Sequence, residues 1–194
     1  LAIDEISKLR VKVQGRAYDK CVDQEKDLTN PLGARTLGQE QGLNFNVSCG
    51  NLDQLQASLE YNIGDIYYRD IASLGKAIDI SRQAGKDIYY YMPRIIRTDE
   101  ERIYKALSSL DEEDMAYLKG FRISSYGQIG WIKDHLPDKK ILVAPWLNII
   151  NDLSLDYYAS IGVSRICMSQ EVSLNQLRGM DKLYEQAYET EYVV

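Results

Sequence analysis

The alternation of short apolar runs with longer amphipathic stretches constrains this chain most. Six runs recur: LNFNVSC, DIYYRD, DIYYYMP, FRISS, KILVAP and SRICMS, beginning near residues 43, 65, 87, 121, 140 and 164. Helical patterns such as NLDQLQASLEYN and ASLGKAIDISRQAG lie between them. Strands alternating with helices of this length predict βαβ units and a parallel sheet. The long gap before FRISS holds two helical patterns, TDEERIYKALSSL and DEEDMAYLKG, with acids crowding each first turn, where the helix dipole favours them. Gly64, Gly85, Gly120 and Gly162 stand just before strands, where each is expected to close a helix in the left-handed conformation.

Such an array either curls into a barrel or lies open as a doubly wound sheet. A nucleotide-binding open sheet would show a Gly-rich phosphate turn, but neither GxGxxG nor GxxxxGK[ST] occurs. The expectation is therefore an α/β fold: a partial TIM-barrel-like array of six to seven parallel βα units. The ending YETEYVV reads as the start of a seventh strand, so the barrel is expected to be incomplete and the chain an excised piece. Residues 1–32 read as an N-terminal helical segment, the end of a preceding domain. Its apolar positions Ile3, Ile6, Leu9, Val13, Ala17, Cys21 and Leu28 recur at helical spacing. Residues 33–41 read as a linker and 42–194 as the barrel domain.

Composition narrows the function classes. No run of about 18 apolar residues exists to span a membrane. A net charge of −6 does not advertise a nucleic-acid grip. Three separated cysteines without a CxxC pair suggest a reducing cytoplasm rather than a disulfide framework. One histidine, His135, rules out histidine-rich metal sites.

In parallel barrels the chemistry gathers at the C-terminal strand ends. Those ends supply Ser48 and Cys49, Arg69 and Asp70, Arg94, Ser124 and Ser125, Asn148 and Asn151, and Gln170 and Glu171. Glu171 can serve as a general acid or base, or as an acid stabilised in a helix's first turn. Asn148 and Asn151 can offer amide groups to a ligand, or Asn151 or Asp152 can cap the next helix. Arg94 can clamp a carboxylate or phosphate, or pair with Asp70 or Glu171. Cys49 is a conceivable nucleophile, but without a base it reads as a buried thiol. The serines lack a GxSxG elbow.

Three blocks resemble the collagenase-like peptidases, peptidase family U-32. NVSCGNLDQLQASLEYNIGDIYYRD is similar to the family's opening strand, turn, helix and second strand. YYYMPRI is similar to its third strand. WLNIINDLSLDYYASIGVSRICMSQEVSLNQL resembles its LNxxN pair, helix, strand and SxELSLxQL block, with Asn148, Asn151, Ser169, Glu171, Leu174 and Leu177 in those places. Val172 replaces a leucine, and SCGN replaces the usual PAGN turn. The IDEISKLR stretch resembles the helix leading into the second half of long, duplicated members.

The resemblance implies Glu171 as the catalytic candidate and Asn148, Asn151, Arg94 and Ser169 as ligand-binding candidates. It implies a partial barrel from a peptidase, a fragment expected to be inactive by itself, whose partners are the remainder of the parent chain and a peptide or RNA substrate. Alternatives are part of an iron–sulfur-dependent RNA pyrimidine hydroxylation protein and a non-catalytic ligand-binding half-barrel. No cofactor is expected within this piece; an iron–sulfur cluster is an expectation for the full-length parent, on cysteines beyond Val194.

Overall fold

The computed structural model describes residues 44–96, 100–180 and 188–193. The expected N-terminal helix and linker, residues 1–41, lie outside the described residues. Seven short strands form one sheet: β1 Val47–Cys49, β2 Ile66–Tyr68, β3 Ile88–Tyr91, β4 Gly120–Ile123, β5 Lys140–Val143, β6 Arg165–Cys167 and β7 Glu189–Glu191. Each pairs in parallel with the next, in sequence order. The helices among the described residues are α1 Leu52–Ser58, α2 Leu74–Gln83, α3 Glu100–Ser108, α4 Glu112–Tyr117, α5 Gly127–His135, α6 Asp152–Ser160 and α7 Leu174–Arg178. No described helix is long and apolar enough to cross a membrane.

A flat sheet of seven strands would hold its outer strands roughly 29 Å apart, six spacings of about 4.8 Å. Yet the Glu191 carboxylate on β7 lies 2.6 Å from Asn46 Nδ2, just before β1. The sheet is therefore curled, an α/β partial barrel. Strand side chains alternate between its two faces. Ile66, Tyr68, Ile88, Tyr90, Phe121, Ile123, Ile141, Val143 and Ile166 pack outward into the main core shared with the helices. Tyr67, Tyr89, Tyr91 and Leu142 form a separate, smaller cluster on the concave face.

Local chemistry explains where the elements differ from expectation. The run LNFNVSC yields only a three-residue β1. Ahead of it the Phe45 carbonyl accepts from the Gly64 N–H at 2.8 Å, and the Asn46 side chain accepts from the Asp65 N–H at 2.8 Å. A side chain thus stands in for ladder pairing. Gly85 and Gly162 do adopt the left-handed conformation, with φ of 63° and 79°. Gly64 and Gly120 do not, which corrects the expectation for those two. Gly120 is glycine for lack of room, since a Cβ there would run into the Lys140 carbonyl; at Gly64 a Cβ would meet the side-chain amides of Asn46 and Asn44.

Candidate functional site

The concave face carries charge where many barrels carry aliphatic side chains. Glu191 accepts hydrogen bonds from Asn46 Nδ2 and from Arg122 Nη1, each at 2.6 Å, and from the Tyr67 hydroxyl. Tyr67 accepts in turn from Arg165 at 2.8 Å. Arg165 also binds Asp65 at 2.7 Å and Glu189 at 2.5 Å. The Arg122 guanidinium lies 4.1 Å from the Tyr67 ring centroid, and its buried Nε has no hydrogen-bond partner among the described residues. Burial, reinforced by the Glu191 charge, raises the Tyr67 hydroxyl far above its ordinary range and keeps it a donor. The two arginines and the three acids thus answer one another. The network ties β7 to β2, β4 and β6 and leaves little polar capacity for a ligand.

The mouth, at the C-terminal strand ends, is organised differently. The Arg69 guanidinium sits over the Tyr91 ring, 5.3 Å from its centroid. The Tyr91 hydroxyl accepts from Trp146 Nε1 at 2.9 Å. Arg94 in turn sits over the Trp146 ring, also at 5.3 Å. Both arginines are exposed. Among the described residues neither has an acidic partner. Arg94 therefore takes neither partner weighed for it. Asp70 caps the turn after β2, accepting from the Ala72 N–H at 3.2 Å and from the Ser73 hydroxyl. Arg94 also borders a groove of about 430 Å³ lined by Ile96, Tyr104, Gln128 and Trp131.

The other candidates take distinct places. Asn151 caps α6, accepting from the Ser154 N–H at 3.0 Å in a reciprocal capping box. Asn148 is exposed and closes the turn after β5 in the left-handed conformation, with φ 53° and ψ 49°. Ser169 is buried; its N–H donates to the Ile149 carbonyl at 3.0 Å, and its hydroxyl accepts from the Glu171 N–H at 3.3 Å. Glu171 is exposed in the turn after β6. The structure thus joins Ser169 to Glu171 through the backbone. No described hydrogen bond or ion pair joins Glu171, Asn148 and Arg94 to one another.

Residues the sequence reading missed brace this mouth. Buried Gln128 accepts from the Ser124 and Ser125 N–H groups at 2.8 and 3.1 Å and donates to the Pro93 carbonyl at 2.9 Å. Tyr91 and Trp146 carry the arginines. A glutamine in the first turn of a helix gives no signal of such a brace. The aromatic at the end of DIYYY and the tryptophan after KILVAP were the readable hints.

Nucleophile chemistry finds no support in the described groups. His135 ends α5, which runs from the mouth back to the opposite end of the strands; there it stacks on Trp131 with centroids 4.7 Å apart. The Cys49 thiol faces the helix layer, 3.7 Å from the Ser58 hydroxyl, and burial raises it. Cys167 lies on the concave face near Arg122, pushed up to about 11 by burial. An iron–sulfur cluster takes about four converging thiolates. These two point to opposite faces of the sheet and stay protonated, so they do not fit one.

A parallel partial barrel with polar groups gathered at its C-terminal mouth defines a recognisable class of protein. The sequence profile of peptidase family U32 matches residues 61–194, and the chain belongs to that family. Its structure is similar to that of the U32 peptidase Mk0906, with a TM-score of 0.50 at 10% identity over 72% of this chain and 64% of that one. It is also similar to an uncharacterized B. cereus protein, with a TM-score of 0.46 at 11% identity over 76% of this chain and 46% of that one. At such identities the likeness is one of fold, and the chain spans less than two thirds of either structure. None of the curated proteins matches it.

Proposed function

We propose that this chain is the substrate-receiving barrel portion of a U32-family peptidase, and that it does not hydrolyse peptide bonds by itself. One observation carries the reading: two exposed guanidiniums, seated on aromatic rings and without acidic partners among the described residues, face the mouth. Acyl-transfer chemistry needs a nucleophile within hydrogen-bond reach of a base. Here the Ser124 hydroxyl donates to the Met92 carbonyl, and His135 sits at the other end of the barrel. The remainder of the parent chain is then the partner that supplies the missing groups. The two described cysteines are free thiols, which suits a cytoplasmic protein.

The same guanidinium pair favours a second reading, in which the parent modifies a pyrimidine in RNA. The net charge of −6 weighs against it. The purified 194-residue chain should release no fragments from gelatin or collagen above a buffer control. Hydrolysis that survives stringent purification and disappears in Glu171→Gln would overturn the first reading.

A further inference from the structure

Among the described residues, three arginine side chains are engaged internally. Arg82, Arg122 and Arg165 each hold a carboxylate. Arg69 and Arg94 are different. Each lies with its guanidinium over a ring, and Trp146 donates to Tyr91, so the four side chains form one ladder across the ends of β2, β3 and β5. A guanidinium held over a ring by its positive charge still has N–H groups to offer an acceptor. Such seating also restricts a long side chain before any ligand arrives, which lowers the entropy lost on binding. The ladder is thus two preorganised carboxylate forks. Beside Arg94 the groove of about 430 Å³ offers Ile96, Tyr104 and Trp131, an apolar wall within reach of the same guanidinium. A volume of a few hundred Å³ suits a side chain or a small ligand.

We infer that the ladder and groove form a subsite for a peptide carrying an acidic side chain beside an apolar one, with the carboxylate on Arg94 or Arg69 and the apolar side chain in the groove. This rests on the reading of the mouth as the peptide-receiving face. Charge complementarity selects an anionic group, the apolar wall takes a neighbouring side chain, and the net charge of −6 disfavours a polyanionic nucleic acid, so the peptide carboxylate is the favoured occupant. Arg94 and Arg69 act as specificity-determining residues, and Trp146 as a positioning residue that holds Arg94.

Isothermal titration of the full chain with two capped pentapeptides tests this: acetyl-Gly-Leu-Glu-Leu-Gly-amide and its counterpart with glutamine in place of glutamate. The glutamate peptide should bind about tenfold or more tightly, as expected for a charge-assisted fork. That preference should collapse in Arg94→Gln or Arg69→Gln. Arg94→Lys should recover only part of it, because lysine keeps the charge but not the fork. These are exposed positions, so the variants should fold, and circular dichroism confirms it. Equal binding of both peptides would overturn the inference while leaving the mouth as a peptide-receiving face. Binding of neither peptide, or of a uridine decanucleotide alone, would overturn both.

Discussion

Two glutamates mark the extremes of what a carboxylate does in this chain. Glu171 is exposed in a turn, and among the described residues only its N–H is engaged, by Ser169. Glu191 is mostly enclosed and accepts from Asn46, Tyr67 and Arg122. Replacing Glu191 with glutamine leaves the guanidinium of Arg122, 5% exposed, without its counter-charge. Breaking one partner of an enclosed pair costs about 3 kcal/mol, whereas an exposed substitution stays within about 0.5 kcal/mol. Urea denaturation of the full chain should therefore show a large loss for Glu191→Gln and almost none for Glu171→Gln. Similar midpoints for the two variants would mean that the concave network contributes nothing net.

Asn151 shows how an element absorbs a residue that sequence spacing offers to a ligand. It stands at the head of α6 with Ser154 three positions on, and the two exchange side-chain to backbone hydrogen bonds. Asn151→Ala should cost about 1 kcal/mol of stability and leave peptide binding at the mouth unchanged. A loss of binding at unchanged stability would return Asn151 to the ligand.

The strand–helix alternation, the parallel order and the paired helices before β4 were legible because period and spacing are local properties of sequence. So was the cap, which needs only Asn151 and its neighbours. The concave network was not. Arg122 in FRISS and Arg165 in SRICMS were visible as charges at alternate strand positions. Their partner Glu191, however, lies 69 residues beyond Arg122, and only the curl of the sheet brings the two together. The ladder was illegible for the same reason. Arg69, Tyr91, Arg94 and Trp146 come from three strand ends, and nothing local says which ring each guanidinium will choose.

At the scale of the whole molecule, burial of titratable groups sets a limit on alkaline stability. Burial pushes the Cys167 thiol up to about 11 from an ordinary value of 9.0, and the Tyr89 hydroxyl up to about 12 from 10.0. Burial raises Tyr67 and Tyr90 as well. In the unfolded chain these groups lose their protons near their ordinary values; in the folded chain they keep them. From about pH 9 upward the folded state therefore binds more protons than the unfolded one, and stability must fall as pH rises. Below pH 9 both states are protonated, and the contribution is fully present. Cys167 alone adds a slope of up to about 1.4 kcal/mol per pH unit between the two thiol values. Denaturant midpoints taken under reducing conditions should thus be flat from pH 7 to 9 with respect to these groups and drop between pH 9 and 11. Cys167→Ser removes one of the two buried thiols that titrate first and should make that first segment shallower, while Cys49, also raised by burial, and the tyrosines still bring the chain down. A wild-type midpoint that stays level through pH 11 would show that water reaches the concave face, and that the thiol titrates there as freely as in the unfolded chain.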